Sequence, residues 1–294
     1  MTGVPYPYGS LFDGTMEGPD YLRKWGLVEH LAQKNIPIID DGNIDIGPEN
    51  RPAWGDCRRI NWRDRMSLAR MVIRSVHEHT LDIYENGGFP LTIGGDHSIT
   101  AGAVMAAQRH FGDIGLISID SHSDAGDLVD MDGDEVLMSH GNFINAITGS
   151  CPKWLNNRPN GGIRSSNVSV VGVQDLNTEY EGGVMFACDS DIGTVGIERV
   201  ANWVIRRALD ETKGIYLSFD IDALNKRIAP GANYPGGSLN MEEAKKIVSM
   251  VAATGKLVGA DLVEVCPNTD RSDGVTARSA IEIISTILEK HITQ

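Results

Sequence analysis

With 294 residues, 41% hydrophobic and 22% charged, the chain has an ordinary globular composition and enough apolar content for one large core. Its formal net charge of −14 argues against unaided binding to nucleic acid or an anionic membrane, since both depend on clustered Lys and Arg. No segment approaches the roughly eighteen uninterrupted apolar residues of a membrane span. The start, MTGVPYPYGSLFDG, has neither the basic residues nor the apolar stretch of a secretory leader. The expectation is one domain, 1–294, in the cytoplasm. Cys57, Cys151, Cys188 and Cys266 form no CxxC pair, which argues against both a zinc ribbon and a disulfide scaffold and favours unpaired thiols.

Short β-branched runs recur at the spacing of a strand plus a helix: IPII at 36–39, PLTI at 90–93, IGLISID at 114–120, VSVVGV at 168–173, IYLSFDI at 215–221 and KLVGADLVEV at 256–265. Continuous apolar runs of this length are what buried parallel strands require. Helical spacing fills 65–86, with Met66, Ala69, Val72, Ile73 and Val76 on one face, then 197–211 and 241–253, the last with Asn240 placed as N-cap. The alternation predicts an α/β fold, a parallel sheet covered on both faces. The Gly-, Asn- and Asp-rich stretches 127–139, 149–167 and 178–194 read as loops over the carboxyl ends of the strands, where open α/β sheets place their sites.

Three acidic or His-containing clusters close these runs: Gly94-Gly95-Asp96-His97, Asp120-Ser121-His122-Ser123-Asp124 and Asp220-Ile221-Asp222. In extended chain, residues i, i+2 and i+4 share a face, so Asp120, His122 and Asp124 can converge, as can Asp220 and Asp222, with His97 as a sixth donor. Two imidazoles and four carboxylates exceed one tetrahedral zinc, and four packed negative charges need counterions. Two divalent ions meet both demands. Mixed oxygen and nitrogen donors suit manganese best, and imidazole also admits nickel, cobalt or iron. Two ions about 3.5–4 Å apart can share and acidify a water, so the reaction class is metal-assisted hydrolysis. Metallophosphoesterases also use a DxH, but there it comes early and a GNHD-type element follows; here GGDH precedes DSHSD and no basic phosphate clamp is evident.

TIGGDHSIT at 92–100, SIDSHSD at 118–124, SFDIDALN followed by APG at 218–231, and DLVEVCP at 261–267 resemble the ureohydrolase family of arginases, agmatinases and other guanidino-acid hydrolases. GTMEGPDYLRKWGL at 14–27 is similar to the arginase-type N-terminal segment, so the resemblance covers nearly the whole chain. It implies a three-layer α/β/α domain with an eight-stranded parallel sheet, assembled as a trimer or hexamer. It also implies that His97 and Asp124 bind one ion, His122 and Asp222 the other, and Asp120 and Asp220 both. Glu264 matches the glutamate that holds the guanidinium, a sound bidentate partner for a planar cation. His140 matches the histidine that passes a proton to the leaving amine, and Asp124 is placed to take the proton of the attacking water.

Departures from the family pattern bear on substrate. The usual DAHxD reads DSHSD, Asn225-Lys226 stands where Asp-Pro is usual, and the GTGTP-x-x-GG stretch becomes Gly231-Ala232-Asn233-Tyr234-Pro235-Gly236-Gly237, two residues shorter. Asn233 there is a candidate substrate contact. Gly126 stands where arginases carry Asn, the SGN element before His140 is missing, the loop after Asp124 is about three residues longer, and Asn177 replaces the aspartate that holds the α-amino group. The expectation is a binuclear amidinohydrolase releasing urea from a guanidino compound other than free L-arginine. Arginase, agmatinase and formimino hydrolase are the alternatives, and a catalytically silent subunit of a mixed oligomer is the rival from another class.

Overall fold

A computed structural model describes residues 1–10, 14–45, 61–126, 139–148, 161–174 and 183–293. Cys57, Cys151, Asn177 and the acidic residues of the 127–134 insertion lie outside the described residues. The runs expected as strands form at Leu91–Gly94 (β2), Gly115–Ile119 (β3), Val168–Val173 (β4), Ile215–Asp220 (β6) and Leu257–Val263 (β7). Two further strands, Thr2–Val4 (β1) and Met185–Cys188 (β5), are three and four residues long, too short to carry a period. All pair in parallel, in the order β1-β2-β7-β6-β3-β4-β5.

Among the described residues the sheet therefore has seven strands, not the eight expected. The eighth place is held by the chain after IPII at 36–39, which runs beside β1 without building a ladder. Asp41 N donates to Met1 O (2.9 Å), Gly3 N to Gly42 O (2.8 Å) and Ile44 N to Gly3 O (2.8 Å), and a single parallel bridge joins Gly3 and Asn43. Gly42 sits at φ 76°, outside the extended region. The stretch expected as a loop at 178–194 also differs, since it contains β5 and the helix Asp189–Val195 (α6).

The expected helices appear at Trp62–Glu85 (α3), Ile197–Ala208 (α7) and Met241–Ala252 (α8). Asn240 caps α8 as predicted, accepting from Glu243 N while Asn240 N donates to the Glu243 carboxylate, both at 3.0 Å. Helices Gly18–Lys24 (α1), Leu27–Gln33 (α2), Thr100–Phe111 (α4), Phe143–Thr148 (α5) and Val275–Ile292 (α9) complete the layers. One face of the sheet packs Ile117, Ile119, Leu217 and Phe219 against Leu27, Val204, Ile247 and Ile284 of α2, α7, α8 and α9. The other packs Leu116, Tyr216 and Val263 against Val72, Val104 and Ile144 of α3, α4 and α5. This is the three-layer α/β/α arrangement. Among the described residues no helix is long and apolar enough to cross a membrane.

Candidate metal centre and active site

Four adjacent strands, β2, β7, β6 and β3, end side by side, and the candidate residues sit just at or past those ends: His97 after β2, Glu264 after β7, Asp220 closing β6 and Asp120 after β3. The residues do not converge by strand pleat, as the i, i+2, i+4 argument supposed. Each segment turns on its own carboxylate: Asp120 Oδ1 accepts from His122 N (2.7 Å) and Asp220 Oδ1 from Asp222 N (2.8 Å), the latter within a single 3-10 turn. Ser121 then ties the two turns together, donating to Asp222 Oδ1 through its amide (3.2 Å) and hydroxyl (2.7 Å).

Gly95 makes the β2 turn possible, because a Cβ there would lie 2.1 Å from Tyr6 O. The close approach lets Gly95 N donate to Val4 O and Asp96 N to Tyr6 O. Asp96 is spent on structure, accepting from Gly9 N (2.7 Å) and Ser98 N (3.0 Å).

His97 Nδ1 stands 3.1 Å from Asp120, 3.0 Å from Asp124 and 3.3 Å from Asp220. His122 Nδ1 stands 2.9 Å from Asp222 and 3.6 Å from Asp120. Two donor sets result, His97-Asp120-Asp124 and Asp120-His122-Asp222, each offering one ligand atom per residue, all within 4.8 Å of one another. Asp120 belongs to both.

The tautomer of His97 follows from its far side. The Ser218 hydroxyl donates to Asp261 Oδ1 (2.5 Å), so its oxygen must accept from His97 Nε2–H (2.8 Å), which leaves the Nδ1 lone pair facing the carboxylates. Despite this crowding, His97 Nδ1 and Asp120 Oδ2 are buried without a hydrogen-bond partner, and among the described residues no Lys or Arg pairs with any of the four aspartates. Two imidazoles and four carboxylates converging with no Lys or Arg between them fit a cation.

The titration behaviour agrees. Burial opposes charge on His97, but the surrounding carboxylates of Asp120, Asp124 and Asp220 hold its pKa well above the usual range. Asp120 and Asp222 push His122 up to about 12. Burial and the charge of Asp120 raise Asp124 to about 7 and raise Asp222, while burial, Asp222 and Asp120 hold Asp220 well above the carboxylate range. Burial would lift Asp120 too, but the two imidazoles outweigh it and keep it low. Without metal, protons occupy the place of cations.

The mouth is a cleft of about 470 Å³ lined by Ser121, His122, Asp124, His140, Gln174 and Tyr234 among others. His140 Nδ1 lies 3.7 Å from Glu264 Oε1, which accepts from His97 N (2.8 Å), while Glu264 Oε2 is buried with no partner. Burial, then the positive His97 and His122, pushes His140 down to about 4; burial, with Asp220 and Asp96, raises Glu264 well above its usual range. Asp124 at φ 45° and Glu264 at φ 65° both hold left-handed backbone that non-glycine residues seldom adopt, strain of the kind that gathers where side chains are positioned for function. Asn233 donates from its amide to Glu264 O (3.1 Å) and from Nδ2 to Ser10 Oγ (2.8 Å), leaving a buried, unpartnered Oδ1. Gly126 N donates to Gly141 O (2.9 Å), and a Cβ at Gly126 would meet that oxygen at 2.8 Å.

Sequence reasoning brought together His97, Asp120, His122, Asp124, Asp220, Asp222, Glu264 and His140, and the structure gathers all eight at one place. It passed over Ser121, Ser218, Asp261 and Tyr234. A signal existed for Asp261 alone, since a carboxylate inside an apolar strand is rare enough to need a purpose; Ser218 is its register partner across β6 and β7.

A model of the Arginase family matches residues 1–289. The arginase of Brevibacillus brevis is 28% identical over 297 residues, covering 98% of this chain and 96% of its own. The native structure of Bacillus caldovelox arginase at pH 5.6 is 27% identical with a TM-score of 0.83, covering 98% of this chain and 96% of that one. A hypothetical agmatinase from Burkholderia thailandensis is 25% identical with a TM-score of 0.74, covering 98% and 84%. Relatives of one fold thus carry different substrate names.

Proposed function

The chain belongs to the Arginase family, hydrolases of the C–N bonds of linear amidines, and on that premise we propose that it releases urea and an amine from a guanidino compound other than free L-arginine. The family is one of binuclear metalloenzymes acting on small guanidino substrates. The observation that carries the reading is the pair of donor sets sharing Asp120, with all donor atoms of each within 4.8 Å. His97 and Asp124 would hold one ion, His122 and Asp222 the other, and Asp120 with Asp220 both. Two divalent ions, manganese by preference and nickel as the alternative, would supply the positive charge that acidifies a water and offsets the negative charge on the oxygen that adds to the amidine carbon.

The protein's own residues do the rest. The free Oε2 of Glu264 accepts hydrogen bonds from the guanidinium and fixes its plane beside the floor. Asp124 takes the proton that the attacking water gives up. His140, kept neutral by burial, receives protons from that water and relays them to the leaving nitrogen as the C–N bond breaks, so the water's oxygen ends on carbon as the urea carbonyl and its two protons on the amine, which departs as ammonium.

The exclusion of L-arginine rests on Gly126, which offers no side chain and where a Cβ would press on Gly141 O at 2.8 Å, and on the sequence changes at Asn177 and before His140, which together remove partners for an α-ammonium and α-carboxylate. An unpaired charged group forfeits about 1.5–3 kcal/mol per lost charge-assisted hydrogen bond, at least tenfold in discrimination. The second reading is arginase itself, favoured by the arginase relatives. Urea release at matched manganese or nickel loading, compared across L-arginine, agmatine, 4-guanidinobutyrate, guanidinoacetate and guanidine, decides between them. The expected result is a kcat/KM for L-arginine at least tenfold below the best of the set. A maximum at L-arginine makes the chain an arginase, and no urea from any compound leaves the formimino hydrolase, which releases formamide instead, and the silent subunit. A homo-oligomer, trimer or hexamer, belongs to the same proposal and is checked by light scattering.

A further inference from the structure

We propose that Tyr234 is the specificity-determining residue of the cleft: a fixed aromatic wall that selects guanidino compounds with an apolar or cationic arm over those whose arm ends in a carboxylate. The proposal rests on the hydrolase reading for the identity of the reacting end. Tyr234 itself is placed by the fold. Its ring lies parallel to the His140 imidazole, centroids 5.7 Å apart and planes inclined by 4°, and stands edge-on to His122 at 6.1 Å and 80°. It therefore spans the side of the cleft between a candidate metal ligand and the candidate proton relay.

The backbone on both sides of Tyr234 is pinned. Asn233 bonds to Glu264 O and to Ser10, Ala232 bridges Val265, the Gln174 amide donates to Gly236 O, and Gly237 N donates to Asp222 O at 2.9 Å. Gly237 is required there, because a Cβ would lie 2.1 Å from that carbonyl. A seven-residue stretch tied at four points gives the ring little freedom to swing aside.

The route of the substrate brings its arm to this ring. The nitrogen that leaves must come within reach of His140, and the arm is the substituent on that nitrogen, so it passes beside whatever stacks on His140. An aromatic ring offers methylenes a flat apolar surface and offers a cation its negative face, but it repels a carboxylate. Among the described residues no Lys or Arg lines the cleft to receive one.

The test pairs agmatine with 4-guanidinobutyrate, arms of similar reach and opposite terminal charge. The wild-type holoenzyme is expected to favour agmatine at least tenfold in kcat/KM. Tyr234→Leu is expected to shrink that ratio about tenfold, mainly through KM, and Tyr234→Phe to retain it. Tyr234→Arg, which supplies a partner for the carboxylate, is expected to turn the preference towards 4-guanidinobutyrate. A wild-type preference for 4-guanidinobutyrate overturns the proposal, as does a Tyr234→Leu ratio equal to wild type or an equal loss for both compounds. Calorimetric titration of the metal-loaded protein with the same two compounds reads the preference without turnover. Selective agmatine binding that Tyr234→Leu abolishes supports the wall even if no urea is formed and the hydrolase reading fails; equal binding of the two compounds overturns it.

Discussion

The floor and the mouth of the cleft are built on different terms. Asp120, Asp220 and Asp222 are at most 3% exposed and hang from the ends of central strands that are buried on both faces. Each carboxylate is fixed by a backbone amide two residues on, or by Ser121, before any ligand arrives. At the mouth, the His140 side chain is 25% exposed, and the lining comes from connecting segments held by a few hydrogen bonds. The lesson is a division of labour: the floor fixes the chemistry with charges that tolerate little change, and the mouth, on loops, can be altered to admit another substrate while the floor stays intact.

The largest break in that comparison should come from the floor. Chelation is expected to bring urea release to background, and Asp120→Asn to lose more metal than Asp222→Asn, since Asp120 alone stands in both donor sets. Asp220→Asn, at 3.3 Å from His97 Nδ1, should fall nearer to Asp120→Asn. Elemental analysis of the reconstituted proteins measures this directly. Full activity in metal-free protein would sink the metal centre, and equal metal content in all three variants would remove the shared role of Asp120 and Asp220.

At the mouth, a single truncation should act on rate alone. His140→Ala is expected to lower kcat by about 10²- to 10⁴-fold, the usual loss for a general acid or base, with metal content unchanged because His140 lies outside both donor sets. Turnover and metal analysis on the same preparation separate the alternatives. A variant that loses metal reassigns His140 to the floor, and one that retains wild-type kcat has no proton to move.

The same division decides what the sequence could reveal. The central strands were legible as apolar runs because both faces are covered, and the ligands were legible because each follows such a run within a few residues. The edge was not: IPII has β-branched residues like the other runs, but the chain after it, bent at Gly42, makes no ladder beside β1, and β5 hid in a stretch read as loop. Convergence of the carboxylates was anticipated for the wrong reason, since Asx-type turns rather than pleat aim them. The link from Asp261 through Ser218 to His97 was hidden because strand pairing across β6 and β7, not sequence spacing, makes it. Tyr234 needed the three-dimensional neighbour His140 before it meant anything.

The smallest expected effect concerns how the floor survives without cations. The Asp124 carboxyl has its folded pKa raised to about 7 from an ordinary 3.8, so between about pH 4 and pH 7 the native state binds the extra proton. Stability of the metal-free protein through this group is then present at low pH and falls as pH rises through that window. Asp220, Asp222 and Glu264 are shifted in the same direction by burial and like charges. The raised His97 and His122 add their own loss above pH 6.5, again with rising pH. Asp120, held low, has the opposite sign, but its titration is over below about pH 4. Divalent ions replace these protons, so the rise in Tm on adding manganese should be larger at pH 8 than at pH 5.5, by several degrees in a chain of this size. Comparing each pH with and without metal cancels the titration of the remaining surface. Asp124→Asn should flatten the difference, because it removes one of the protons in exchange. A metal-induced shift equal at both pH values would mean that the floor carries no excess protons in the metal-free state, and that the floor and the mouth differ in exposure but not in charge.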